Sequence, residues 1–356
     1  MAQLDEYLTM LCDRTGSDLH MAAGGPPRMR CRGSLEPIEG RDTLTDDTVR
    51  ALMRELVSER QWNDFEACGD LDFAYSVPGV ARFRGNYLMQ EKGAALVFRI
   101  IPEEILTTED LGLPDAIGKL SDLDKGLVLL TGPTGSGKST TLAAVIDRIN
   151  REHARHIVTI EDPIEFVHQN QKSVLSHREV GDHTGGFSAA LRAAMREDAD
   201  VILVGEMRDQ ATIALAITAA EMGQLVFGTL HTSGAAKTID RIIDAFPSEE
   251  QNQVRISLSE SLAGVVSQLL VPTGDGKGRC AVHEILLRNS GLANIIREGN
   301  TPMLNSMIQS GKGEGMISMD DSLMAALEAK KILPGDAFAK ATDKSRFESR
   351  LPNDAS

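Results

Sequence analysis

Gly132-Pro133-Thr134-Gly135-Ser136-Gly137-Lys138-Ser139-Thr140 decides the fold, because it is a complete G-x-x-x-x-G-K-[ST] phosphate loop. The residues before it, Gly126 to Thr131, read as a buried apolar strand, and those after it, Thr141 to Ile149, as an amphipathic helix. Strand, loop and helix stand in the order such a loop requires. Glycines let the backbone wrap phosphates at low steric cost, and the following helix offers unpaired N–H groups and the positive end of its dipole. The motif therefore predicts a nucleotide site, with Lys138 reaching the β- and γ-phosphates and Ser139 ligating Mg²⁺.

Outward from this loop the pattern alternates strand and helix. His156 to Ile160, Val201 to Val204 and Gln224 to Thr229 read as strands, with helices over Phe187 to Arg196 and Asp209 to Met222 between them. Strands this apolar throughout imply a parallel sheet covered on both faces. The first hundred residues read differently, as a mainly antiparallel unit. A helical face at Leu4, Tyr7, Leu8 and Leu11 precedes short strands over Ser17 to Met21 and Arg28 to Cys31. A second helix carries Val49, Leu52, Met53 and Leu56 behind a cap at Thr45, and a strand meander covers Leu71 to Ile100. The fold class expected is α/β, with an N-terminal domain over 1–101, a proline-containing linker over 102–114 and the nucleotide-binding domain with C-terminal helices over 115–356. The polar end from Ser345 reads as frayed.

Composition narrows the function. The 356 residues suit two domains, and 42% hydrophobic with 25% charged content is that of a water-soluble chain. No apolar run approaches the roughly 20 residues that span a bilayer, so direct membrane insertion is not expected. Met1 to Asp5 lacks the basic and apolar regions of a signal peptide, which predicts a cytoplasmic location. Cys12, Cys31, Cys68 and Cys280 show no C-x-x-C pairing and read as buried apolar residues. A net charge of −15 argues against a nucleic-acid partner, which needs a basic footprint.

Nucleotide hydrolysis needs a metal, an oriented water and a γ-phosphate sensor at the carboxyl ends of parallel strands. After the strand ending at Ile160 comes Glu161-Asp162-Pro163-Ile164-Glu165, which reads either as a cation- or water-activating group or as a solvated acidic turn. Gly205-Glu206-Met207-Arg208-Asp209 ends an apolar strand in an acid, as a Walker B segment does. Glycine holds the place where aspartate is usual, so Glu206 is left to serve the metal or its water. Thr229-Leu230-His231-Thr232 closes a third strand, and its histidine is either a structural hydrogen-bonding group or a γ-phosphate sensor.

These segments together resemble the GspE/PulE-type secretion-superfamily ATPases, most closely the type IV pilus retraction ATPases of the PilT/PilU kind. Gly132 to Thr140 is similar to that family's Walker A loop, Ile160 to Phe166 to its Asp box, Gly205 to Asp209 to its Walker B segment and Gly228 to Thr232 to its His box. Arg178 to Gly181, Arg192 to Asp198 and Ser17 to His20 also match, so the likeness spans nearly the whole chain. What it implies is a PAS-like α+β N-terminal domain on a RecA-like P-loop ATPase domain. The resemblance further implies a homo-hexamer with ATP and Mg²⁺ between subunits, peripheral at the inner face of the cytoplasmic membrane, and a PilC-like platform protein as partner.

Carried over residue by residue, the resemblance makes Glu165 the general base, Glu206 the Walker B carboxylate and His231 a γ-phosphate contact. Arg84 and Arg99 match arginines that reach the nucleotide from the N-terminal domain, although arginines on a strand meander read as solvated from the residues alone. Ala199 replaces a usual proline, and Gly291 to Glu298 keeps only Asn294, Ile296, Arg297 and Glu298 of an A-I-R-N-L-I-R-E helix tied to retraction. The implied function is a motor for pilus retraction. Its alternatives are an accessory subunit that co-assembles with a paralogous pilus ATPase, or an extension or type II secretion ATPase. The latter normally carries a longer N-terminal region and a tetracysteine zinc motif, and this sequence has neither.

Overall fold

The computed structural model describes residues 2–31, 33–101 and 104–351. Pro102, where the expected linker begins, and residues 352–356 of the expected frayed end lie outside them. The chain divides into two compact units: the described residues up to Glu104 together with 163–167, and 105–162 together with 168 onward.

In the first unit six strands form one sheet: β1 (Gly16–Ala22), β2 (Arg28–Cys31), β3 (Ser34–Pro37), β4 (Asp70–Val77), β5 (Ala81–Gln90) and β6 (Gly93–Ile101). Their order is β3-β2-β1-β6-β5-β4, antiparallel at every pairing. The helix Gln3–Asp13 buries Leu4, Leu8 and Leu11, the face its spacing predicts. Thr45 caps the helix Asp46–Arg54 by accepting from the Thr48 N–H at 3.2 Å. Two elements are absent from the sequence reading. β3 is exposed at all of its positions and so has no alternation to detect, and the helix Glu59–Cys68 buries only Phe65.

The second unit is built on seven strands: β7 (Gly126–Thr131), β8 (His156–Glu161), β9 (Val174–Glu179), β10 (Val201–Val204), β11 (Leu225–Leu230), β12 (Leu262–Pro272) and β13 (Arg279–Leu287). The order is β13-β12-β7-β11-β10-β8-β9. β7, β10 and β11 are buried at every position, and the helices Lys138–Glu152 and Gln210–Glu221 lie between them in sequence. The strands expected to form a parallel sheet do so, and beyond them β12 and β13 form a hairpin, which places an antiparallel strand at one edge. A short turn permits this, with Thr273 N–H donating to the Gly278 carbonyl at 3.0 Å, because antiparallel neighbours need no crossover.

Two expectations are overturned. Residues 345–348 form a helix, and Phe347 is fully buried among Val271, Val282, Leu323 and Ile332. One aromatic in a polar stretch was enough to dock it, helped by Arg346 donating to Asp321 at 2.7 Å. The cysteines are free but not core residues: Cys12, Cys31 and Cys280 are half-buried and Cys68 is exposed.

Candidate active site at the strand ends

The loop between β7 and the helix Lys138–Glu152 takes its shape from its glycines. Gly132, Gly135 and Gly137 have φ of 143°, 76° and 84°, and a Cβ on Gly132 would lie 2.3 Å from the Gln268 carbonyl. The helix begins without a side-chain cap at its N-terminus. Lys138, buried at 9% exposure, donates through Nζ to the Gly132 carbonyl at 2.8 Å and the Pro133 carbonyl at 3.2 Å. The buried hydroxyls of Thr131 and Ser136 have no hydrogen-bond partner among the described residues. An uncapped helix end, glycines in the left-handed region and an unpartnered hydroxyl fit a polyphosphate.

On the next two strands of the sheet, β11 and β10, the ends form a second cluster. The Thr229 hydroxyl donates to the Gly205 carbonyl, and the Met207 N–H donates to the Thr229 carbonyl at 3.0 Å. These bonds tie the two strand ends together and bring Glu206 to His231. Glu206 Oε1 accepts from Arg208 Nε at 2.6 Å and from His231 Nε2 at 3.0 Å. The Arg208 hydrogen bond, opposed by partial burial, holds the Glu206 carboxyl below the usual carboxylate range. Glu206 is therefore an anion at neutral pH.

Gly205, where an aspartate would be usual, is explained by close approach. A Cβ there would meet the Ile160 carbonyl at 3.1 Å and Glu161 Cα at 3.3 Å, while Gly205 N–H donates to that carbonyl at 2.8 Å. Asp209 takes a structural task, capping the helix Gln210–Glu221 by accepting from the Thr212 N–H at 2.9 Å. Glu165 is half-buried in the segment 163–167, which belongs to the first unit.

The first unit holds a charged row of its own. Arg84 on β5 and Arg99 on β6 are direct cross-strand partners, and Arg99 pairs in register with Asp18 on β1. Like charges placed opposite each other destabilise a sheet, so the row needs an acid. Asp18, only 5% exposed, supplies it: Arg99 Nε donates to it at 2.7 Å, and the Ser17 hydroxyl donates at 2.7 Å. Burial would raise the Asp18 carboxyl, but these two bonds and the Arg99 charge bring it below its ordinary value. The guanidinium groups face water, with side-chain exposures of 45% for Arg84 and 72% for Arg99.

The sequence reading missed the part played by Arg208 and by Asp18, both inside segments it had quoted. A strand-end arginine two residues after the acid, and an aspartate at an inward β position, were the available signals.

Residues 4–326 match the type II/IV secretion system protein family. The chain belongs to that family. It is 48% identical over 344 residues to the type IV pilus retraction ATPase PilT of Pseudomonas aeruginosa, covering 97% of this chain and 99% of that one. The type IV pilus ATPase PilU of the same organism is 38% identical over 339 residues, covering 95% and 88% respectively. Among solved structures, that of the pilus retraction motor PilT with bound ADP superposes with a TM-score of 0.90 at 42% identity, covering 97% of this chain and 98% of the other. The α/β fold expected from the sequence is therefore that of a solved pilus retraction motor.

Proposed function

We propose that the protein is the ATP-hydrolysing motor of type IV pilus retraction. The observation that carries the reading is the pair of features at the carboxyl ends of neighbouring strands: a phosphate loop running into a helix without a side-chain cap, and an ionised Glu206 fixed by Arg208 and His231. Residues 132–140 hold the phosphates of ATP, with Lys138 exchanging its loop carbonyls for phosphate oxygens. Mg²⁺ is held through the Ser139 hydroxyl and, directly or through water, Glu206, and supplies charge neutralisation on the phosphates when bound. His231 stands beside Glu206 as the γ-phosphate contact. Glu165 takes the proton of the attacking water, and Arg84 and Arg99 supply positive charge from a neighbouring subunit of a six-membered ring.

Retraction rather than an accessory role is supported by the higher identity to PilT than to PilU and by the helix Leu292–Glu298. That helix buries Leu292 and Ile296, and the retained Asn294, Arg297 and Glu298 are exposed, so its outward face keeps the residues a partner would meet. Among the described residues no helix is long and apolar enough to cross a membrane, so the pilus is reached through a platform protein at the inner face of the membrane. Deleting the gene and imaging surface pili tests the reading. Hyperpiliated, non-motile cells support it; normal pili favour an accessory subunit, and absent pili an extension motor.

A further inference from the structure

The hairpin β12–β13 carries a buried polar rung in an otherwise apolar neighbourhood. Gln268 on β12 and His283 on β13 are register partners, each 2% exposed. The Gln268 side-chain amide donates through Nε2 to the Ser136 carbonyl at 2.7 Å. Its Oε1 accepts from the Thr141 hydroxyl at 2.8 Å and from His283 Nε2 at 3.1 Å. The orientation of this amide is forced: the Ser136 carbonyl can only accept, so the NH₂ must face it and the oxygen must face Thr141 and His283. His283 consequently carries its proton on Nε2. Burial holds the ring neutral, with its pKa pulled down to about 4.

One side chain thus grips the phosphate loop before Lys138, at Ser136, and after it, at Thr141, while its own main-chain carbonyl sits against Gly132. The next rung faces the opposite side. Ser267 Oγ accepts from the Gly234 N–H at 2.9 Å and Glu284 Oε1 from the Ala235 N–H at 2.8 Å, on the segment that follows His231.

We propose that Gln268, latched by His283, is a positioning pair that holds the phosphate loop in its nucleotide-binding shape. The proposal rests on the reading of 132–140 as the nucleotide loop. A loop of this shape costs conformational entropy, and a fixed amide bonded to both its ends keeps that cost from being charged against binding. Loss of the latch therefore weakens nucleotide affinity more than it slows the chemical step at saturation.

The test measures the Kd of the full chain for a fluorescent ADP analogue, and KM and kcat for ATP, below the melting temperature of each variant. Gln268→Leu and Gln268→Glu both remove donation to the Ser136 carbonyl, and each is expected to weaken binding about tenfold, with kcat kept within about threefold. Thr141→Val, which removes only a hydroxyl, and His283→Leu lose a few-fold, and His283→Gln, which restores a donor near the Nε2 position, recovers affinity. Lys138→Ala is run alongside. Wild-type affinity in Thr141→Val, His283→Leu and any folded Gln268 variant, with affinity lost in Lys138→Ala, overturns the latch while leaving the site in place. Wild-type affinity in Lys138→Ala removes the nucleotide reading itself. If the Gln268 variants do not fold, an unchanged Kd in Thr141→Val and His283→Leu still refutes the proposal, and a weakened Kd rescued by His283→Gln supports it.

Discussion

The strand-end cluster of the second unit and the arginine row of the first unit hold their charges in opposite ways. Glu206 is flanked by Arg208 and His231 at hydrogen-bond distance, on strand ends tied to each other through Thr229. Arg84 and Arg99 stand side by side on neighbouring strands, Arg99 bonded to the buried Asp18 and Arg84 3.7 Å from the Asp72 carboxylate, and both guanidinium groups otherwise face water. The first arrangement is already organised for chemistry. The second places two like charges opposite each other, each beside a carboxylate of its own unit, and leaves both guanidinium groups largely in water. Such a pair is understandable when an anion supplied from elsewhere completes it.

This contrast can be broken at several points. The largest effect is expected from Lys138→Ala, which removes the loop's fixed positive charge and should reduce ATP turnover to background; turnover near wild type would show that 132–140 is not the nucleotide site. Arg99→Ala should follow, lowering turnover of the assembled protein by about 10³-fold if the guanidinium meets developing phosphate charge, whereas an arginine that serves only Asp18 would lower stability and leave turnover below the melting temperature unaltered. Glu206→Gln and Glu165→Gln should each keep nucleotide binding and lose hydrolysis by about 10²- to 10⁴-fold, read by single-turnover assay. Normal hydrolysis in Glu165→Gln would move the water-orienting role to Glu161.

The smallest effect separates the two regions by stability alone. Asp18→Asn leaves a neutral amide where Arg99 needs an anion, at a cost of about 1–3 kcal/mol. The sign of the pH dependence follows from the lowered Asp18 carboxyl. Its folded value lies below the unfolded one, so its contribution is complete above the ordinary value of 3.8 and is lost as pH falls through the folded value. Thermal melts of wild type and Asp18→Asn should therefore converge as acid is added below about pH 4. Parallel melting curves would mean that Asp18 is not the row's stabilising charge.

Legibility in the sequence followed local physics. The phosphate loop, β7, β10 and β11 were readable because fully buried parallel strands are short continuous apolar runs with glycine punctuation. Thr45 was readable because a cap is a local bond. β9, half-exposed and carrying Ser176, His177 and Arg178, has no such run and was noticed only as a family segment. The hairpin β12–β13 escaped although β12 is strongly apolar, since nothing local says that an eleven-residue run pairs with its successor instead of forming a helix. Gln268 interrupts that run, and its meaning comes from Ser136, 132 positions away. The pairing of Glu206 with Arg208 depends on strand-end geometry as well as on their two-residue spacing.

The most direct test of interfacial catalysis mixes two inactive variants. Lys138→Ala subunits lack a working loop but keep Arg84 and Arg99, and Arg99→Ala subunits keep the loop but lack the arginine. If one subunit's arginines complete its neighbour's site, co-assembled mixtures should regain ATP turnover, highest near equal amounts, and wild-type turnover per subunit should rise with protein concentration through the assembly range. Mixtures that stay inactive at every ratio, beside wild-type turnover independent of concentration, would contradict the account.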